Sequence, residues 1–148
     1  RLADYDLVLV DCPPHLGLIT LNGLRIAESY LIPTIPDVLS TYGIAQITKR
    51  VRDFASSSGA RIAPLGVVAT KWRAGVKVHQ TTLERLRADA AAGRGPPVFE
   101  TVIPEAADLA AAAEYIKEGR TLAQKYKGGR EPYAALAREV LTALEARP

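Results

Sequence analysis

Short continuous apolar runs alternate along this chain with longer stretches in which apolar residues recur at helical spacing. A continuous Val/Leu/Ile run reads as a strand covered on both faces, and a 3.6-residue period reads as an amphipathic helix. Tyr5 to Val10 therefore predicts a first buried strand, stopped by Asp11-Cys12-Pro13-Pro14. Leu21, Leu24 and Ala27 predict a helix over 18–27, with Thr20 or Asn22 as an early cap, and Tyr30 to Ile35 predicts a second buried strand, closed by Pro33 and Pro36. Ile44, Ile47, Val51 and Phe54 form the inner stripe of a helix from about Ser40 to Ser57, ended by Ser58-Gly59. A third strand is expected over Leu65–Thr70, an exposed loop over 71–77, a helix over His79–Ala92, and a rigid turn at Gly93–Pro97. A fourth strand over Val98–Ile103 and an alanine-rich helix over Ala106–Glu118 follow. Tyr133, Leu136, Ala137, Val140, Leu141 and Leu144 then share one stripe of a terminal helix. Strands alternating with helices in this way imply an α/β fold, a mostly parallel twisted sheet with helices on both faces.

Composition narrows the class. At 148 residues and 48% hydrophobic the chain can bury one core and fits one domain. No apolar run is long enough to span a bilayer and no signal peptide is visible, so a cytoplasmic location is expected. The single cysteine, Cys12, excludes a disulfide framework within the chain and a Cys-rich zinc site, and is read as a small filler behind Asp11. His15 and His79 have no Cys or acid pair at ligand spacing, which argues against a metal centre built on them.

Asp11 is the main candidate for chemistry. In open α/β sheets ligands bind outside the carboxyl ends of the strands, and a strand ending at Asp11 would carry its carboxylate there. From these ten residues alone a second reading stands level, a loop Asp capping the next helix. The continuation separates them. Asp11 to Leu24 reads D-C-P-P-H-L-G-L-I-T-L-N-G-L, which resembles the Walker B segment of ParA/Soj-type partition ATPases, D-x-P-P-S-L-G-x-L-T-x-N-A-L. It departs at His15 and Gly23. The resemblance continues through D-V-L-S-T-Y-G-I-A-Q-I from Asp37, L-G-V-V-A-T from Leu65, V-F-E-T-V-I-P from Val98, and the segment from Lys127 to Val140.

That resemblance implies a P-loop NTPase-like fold whose cofactors are ATP and Mg²⁺. Asp11 would hold the metal through water as the catalytic carboxylate. Pro13, Pro14 and Gly17 would form the switch near the γ-phosphate; a plain tight turn before a helix is the other reading of Gly17. Thr70 and Lys71 at one strand end, with Pro104 and Glu105 at another, would line the base pocket. Here the chain departs again, because the family follows that proline with R-N-x-x-R-L and this sequence has Glu105-Ala106-Ala107-Asp108-Leu109. An acid cannot make the contacts of a guanidinium, which puts the usual base contact in question. The chain holds no methionine and no G-x-x-x-x-G-K-[ST] segment. We therefore expect residues 1–148 to be the C-terminal portion of one ParA-like domain, with the phosphate loop upstream and no ATP hydrolysis by this stretch alone.

Net charge is only +3, but the cations cluster. Lys49, Arg50 and Arg52 lie on one expected helix, Arg85 and Arg87 on another with Lys77 and Arg73 just before it, and Lys117, Arg120, Lys125, Lys127 and Arg130 form a third group. A solvated helix face accounts for any one of them. Together with the resemblance they point to a composite surface for non-specific DNA, with Arg85, Arg87, Lys117 and Arg120 foremost. The expected partners are a second copy of the chain, a ParB-like stimulating protein and DNA, without a membrane, and the expected location is the nucleoid. Two other readings are a degenerate nucleotide-binding fold serving only as a protein or DNA interaction module, and a MinD-like positioning ATPase. The latter would need a membrane-binding tail, which Glu145-Ala146-Arg147-Pro148 does not provide. A phospho-receiver domain fits less well, since no acid pair ends the first strand.

Overall fold

A computed structural model describes residues 4–13, 15–105 and 130–147. Its centre is a parallel sheet in the order β1-β2-β3, formed by β1 (Ser29–Thr34), β2 (Ala63–Trp72) and β3 (Val98–Pro104). Among the described residues four helices accompany it: α1 (Leu18–Ile26), α2 (Val38–Ser58), α3 (Lys77–Ala91) and α4 (Arg130–Glu145). This is the expected α/β, P-loop NTPase-like arrangement, with helices on both faces of the sheet.

The two faces are separable by their cores. On one, Ile32 of β1 and Val67 of β2 pack with Ile44 of α2 and Leu86 of α3. On the other, Leu65, Val68, Phe99 and Ile103 pack with Leu136, Val140 and Leu144 of α4. Leu65 and Val68 share a face, although alternation along a regular strand would separate them. A bulge explains this: Tyr30 faces Pro64 and Leu31 faces Gly66, so Leu65 is the extra residue. Gly66 beside it has a steric reason, since a Cβ there would lie 2.7 Å from the Phe99 ring.

Local signals set most boundaries. Asp37 accepts from the Ser40 N–H at 2.7 Å and from the Ser40 hydroxyl at 2.8 Å, so α2 starts earlier than its apolar stripe. Gly59 closes α2 in the left-handed region at φ 69°. α3 begins at Lys77 rather than His79, and β2 runs two residues past Thr70.

Two tertiary latches hold α4. The Glu139 carboxylate accepts from the backbone N–H groups of Glu100 (2.6 Å) and Thr101 (3.0 Å). These lie where β3 bulges, Val98 facing Val67 but Val102 facing Ala69. As β3 ends the sheet among the described residues, the contact satisfies donors that a strand edge would otherwise leave open. Arg147 donates to the carbonyls of Glu28, Ala63 and Pro64, joining the end of α4 to the opposite end of the sheet.

Three expectations are corrected. Residues 5–13 form no strand and pair with none; Leu7, Val8, Leu9 and Val10 are exposed, Leu9 by 82%. A strand of this composition is held by ladder partners on its flanks and by apolar cover on its faces; the described residues contribute only light contact from α1, where Cys12 and Val10 approach Gly23. Lys71 is not in a loop but inside β2, with a left-handed φ of 50°. The α4 stripe is narrower than its sequence pattern, because Tyr133 and Leu141 face solvent while Leu136, Val140 and Leu144 meet the core. The expected helix over Ala106–Glu118 lies outside the described residues.

Candidate functional site

The carboxyl ends of the strands form one edge on which several candidate residues meet. Thr34 ends β1, and its carbonyl accepts from the Thr70 hydroxyl at 3.1 Å. β2 continues through Lys71 to Trp72, whose register partner is Pro104 at the end of β3. The Glu105 N–H then donates to the Trp72 carbonyl at 3.0 Å. Thr70, Lys71, Pro104 and Glu105 are thus brought together by strand pairing, although 33 or more positions separate the two pairs in sequence.

Across this edge Glu105 meets Arg73, the residue just after β2, in a side-chain ion pair and hydrogen bond. The hydrogen bond from Arg73 holds the Glu105 carboxyl below the usual carboxylate range; desolvation opposes this, and the Arg73, Lys71 and His79 charges add to it. The same contact raises Arg73 further above its ordinary value. The loop carrying Arg73 is pinned at several points. Its backbone N–H donates to His79 Nδ1 at 3.3 Å, and the His79 ring lies against Trp72 with centroids 5.9 Å apart. Gln80 donates to the Ala74 carbonyl at 2.6 Å. In the sequence Arg73 stands out only as a loop residue and as a cation just before the Arg85/Arg87 helix; the signal for its role at this edge was the unexplained Glu105, an acid without a partner in its own stretch of chain.

The turn from Asp11 to Gly17 is a separate element. Asp11 is exposed and among the described residues makes no ion pair or hydrogen bond. Pro13 is half-buried, His15 is exposed, and Pro14 lies outside the described residues. The buried Thr20 hydroxyl donates to the His15 carbonyl at 2.7 Å, which ties the turn to α1. Gly17 is the N-cap of α1 and provides no side-chain cap, so the first N–H groups of that helix lack the usual side-chain acceptor. No hydrogen bond or ion pair links Asp11, Pro13 or Gly17 to the Thr70–Glu105 edge among the described residues.

The basic candidates divide. Arg85 is exposed on α3, beside a shallow groove with Val38, Thr41 and Val78. Arg87, by contrast, is committed to β3: it pairs with the Glu100 carboxylate at 2.8 Å and donates to the Glu100 carbonyl at 3.1 Å. Its guanidinium ties α3 to the sheet, with 35% of the side chain still exposed. Lys117 and Arg120 lie outside the described residues. No group of three or more potential metal ligands occurs among the described residues, and none of their helices is long and apolar enough to cross a membrane.

Comparison with known proteins gives a consistent result. A family model described as an AAA domain matches residues 2–63. The chain is 32% identical over 143 residues to the chromosome-partitioning ATPase Soj of Thermus thermophilus, covering 95% of this chain and 55% of that protein. It is 30% identical over 139 residues to the chromosome partitioning protein ParA of Myxococcus xanthus, covering 94% of this chain and 47% of that protein. It is also 30% identical over 141 residues to the sporulation initiation inhibitor protein Soj of Bacillus subtilis, covering 93% and 52%. The chain spans about half the length of the curated relatives it matches. Across that span the chain is similar to these chromosome-partitioning proteins.

Proposed function

From this kinship we propose that the protein is a nucleotide-dependent partition ATPase and that residues 1–148 form the C-terminal portion of its nucleotide-binding domain. The observation that carries the reading is the Asp11–Gly17 turn: an unpaired, exposed carboxylate stands just ahead of a helix whose first N–H groups have no side-chain cap. A helix start of this kind favours an anion such as phosphate. A lone carboxylate is also a fitting Mg²⁺ partner, because Mg²⁺ keeps most of its waters and takes its other ligands from substrate phosphates. With ATP bound, Mg²⁺ supplies charge neutralisation on the phosphates. Asp11 would hold it through water, Gly17 and Pro13 would shape the turn that meets the terminal phosphate, and Thr70, Lys71 and Pro104 would flank the base.

The remaining parts of the reading follow the family. The protein would dimerise around nucleotide, bind DNA without sequence preference and associate with the nucleoid, and hydrolyse ATP under a ParB-like stimulator. Arg85, Arg87, Lys117 and Arg120 are the residues proposed to meet DNA phosphates, Arg87 from within its ion pair with Glu100.

The test is Mg²⁺-dependent ATP binding by the protein at its natural full length. Wild type binds ATP with Mg²⁺, and Asp11→Ala loses at least about tenfold in affinity, since one group's contact to a charged partner is worth roughly 1.5–3 kcal/mol. A wild type that binds no ATP, yet binds DNA with a steep salt dependence, would instead support an interaction module built on a degenerate nucleotide fold.

A further inference from the structure

The resemblance implies a cation after the strand-ending Pro104, and this chain has Glu105 there. The structure shows a cation at the same edge all the same. Arg73 arrives from the end of β2, just after Thr70, Lys71 and Trp72, whose register partner is Pro104; it is held by the Glu105 carboxylate and leaves 62% of its side chain open to solvent. We propose that Arg73 is the base-contacting cation of this edge and that Glu105 is its positioning residue, the charge having moved from the β3 side of the pocket to the β2 side. The inference rests on the nucleotide-binding reading above and specifies how the base is held.

Two physical considerations favour this role over a purely structural one. An ion pair this exposed adds little to stability, typically between nothing and about 1 kcal/mol. Yet the loop that carries Arg73 is fixed by the His79 acceptor on its N–H, the Trp72–His79 ring contact and the Gln80 hydrogen bond to Ala74. Such fixing limits the conformational freedom that Arg73 would lose on binding a ligand, which is what a preorganised recognition group needs. Chemically, a planar guanidinium suits a nucleobase: it can stack on the ring face, or donate to ring nitrogens along its edge. A free carboxylate at Glu105 would repel the nearby phosphates of the same ligand; engaged by Arg73, its charge is largely offset.

The experiment compares ATP with inorganic tripolyphosphate, which has the phosphates but no base, on the full-length protein with Mg²⁺. Arg73→Ala and Glu105→Gln are each expected to weaken ATP about tenfold, the scale of one charge-assisted contact, while tripolyphosphate affinity and melting temperature stay unchanged. A purely structural pair would leave the ratio of the two ligands alone, which would overturn the inference. Unchanged ATP affinity in both variants, with wild type binding ATP, would overturn this inference and leave the nucleotide reading intact. Equal weakening of ATP and tripolyphosphate would overturn it as well, assigning Arg73 to the phosphates. Wild type that binds neither ligand would overturn the nucleotide reading itself, and the inference with it.

Discussion

Two apolar runs of nearly the same composition meet opposite fates in this molecule. Leu65-Gly66-Val67-Val68-Ala69 is buried, with Val67 exposed by 1% and Val68 by 2%; Leu7-Val8-Leu9-Val10 lies in the open. The first is flanked by β1 and β3 and covered by α2 and α3 on one face and α4 on the other. Among the described residues the second has no ladder partner and only light contact from α1. A Val/Leu run is therefore a request for partners, and only the neighbours decide whether it becomes a strand. The same lesson applies to charge. Arg85 and Arg87 are two residues apart on α3, yet one is exposed and the other is held by β3.

The comparison can be tested by truncating both runs' environments. Phe99→Ala removes a ring that packs against Leu65 and Val68, and is expected to cost about 3–5 kcal/mol in urea denaturation. The matched change Leu9→Ala should fall within about 0.5 kcal/mol, as surface substitutions do. A Leu9→Ala cost as large as that at Phe99 would show that the first run is buried in the protein in solution. A smaller effect sharpens the packing side. Gly66→Ala places a methyl at 2.7 Å from the Phe99 ring and should cost about 1–3 kcal/mol, with Phe99→Leu partly rescuing it.

The smallest effect concerns a local signal that needs no sheet. Asp37→Ala should cost about 1 kcal/mol through loss of the α2 cap. The backbone and side-chain hydrogen bonds from Ser40 depress the Asp37 carboxyl below its unfolded value. A depressed folded pKa contributes stability above the unfolded carboxylate pKa, and that contribution is lost as pH falls through the folded value. The difference between wild type and Asp37→Ala should accordingly shrink on acidification below the normal carboxylate range. A difference independent of pH would show that the cap acts without its charge.

Much of the fold was legible along the chain. The strands at β1, β2 and β3 and the helices at α2, α3 and α4 follow from runs, periods and stop signals such as Gly59. Boundaries moved where a side chain intervened, as Asp37 extends α2 by capping it. The bulge at Leu65 was not legible, because it arises from how β1 and β2 pair.

For the candidate site the division is similar. The D-C-P-P-H-L-G turn and the strand-end residues Thr70, Lys71, Pro104 and Glu105 could be picked out by residue type and motif, since chemistry of this kind requires particular side chains at strand ends. Their partners could not. That Glu105 engages Arg73, that Arg87 is taken up by Glu100, and that Glu139 reaches the edge of β3 are long-range contacts. Sequence by itself determined where helices and strands could form, because propensity, capping and periodicity act over a few neighbouring residues. Only the tertiary structure decided which charges are free and which apolar run is covered, because strand pairing and helix packing bring together groups that the chain keeps tens of residues apart.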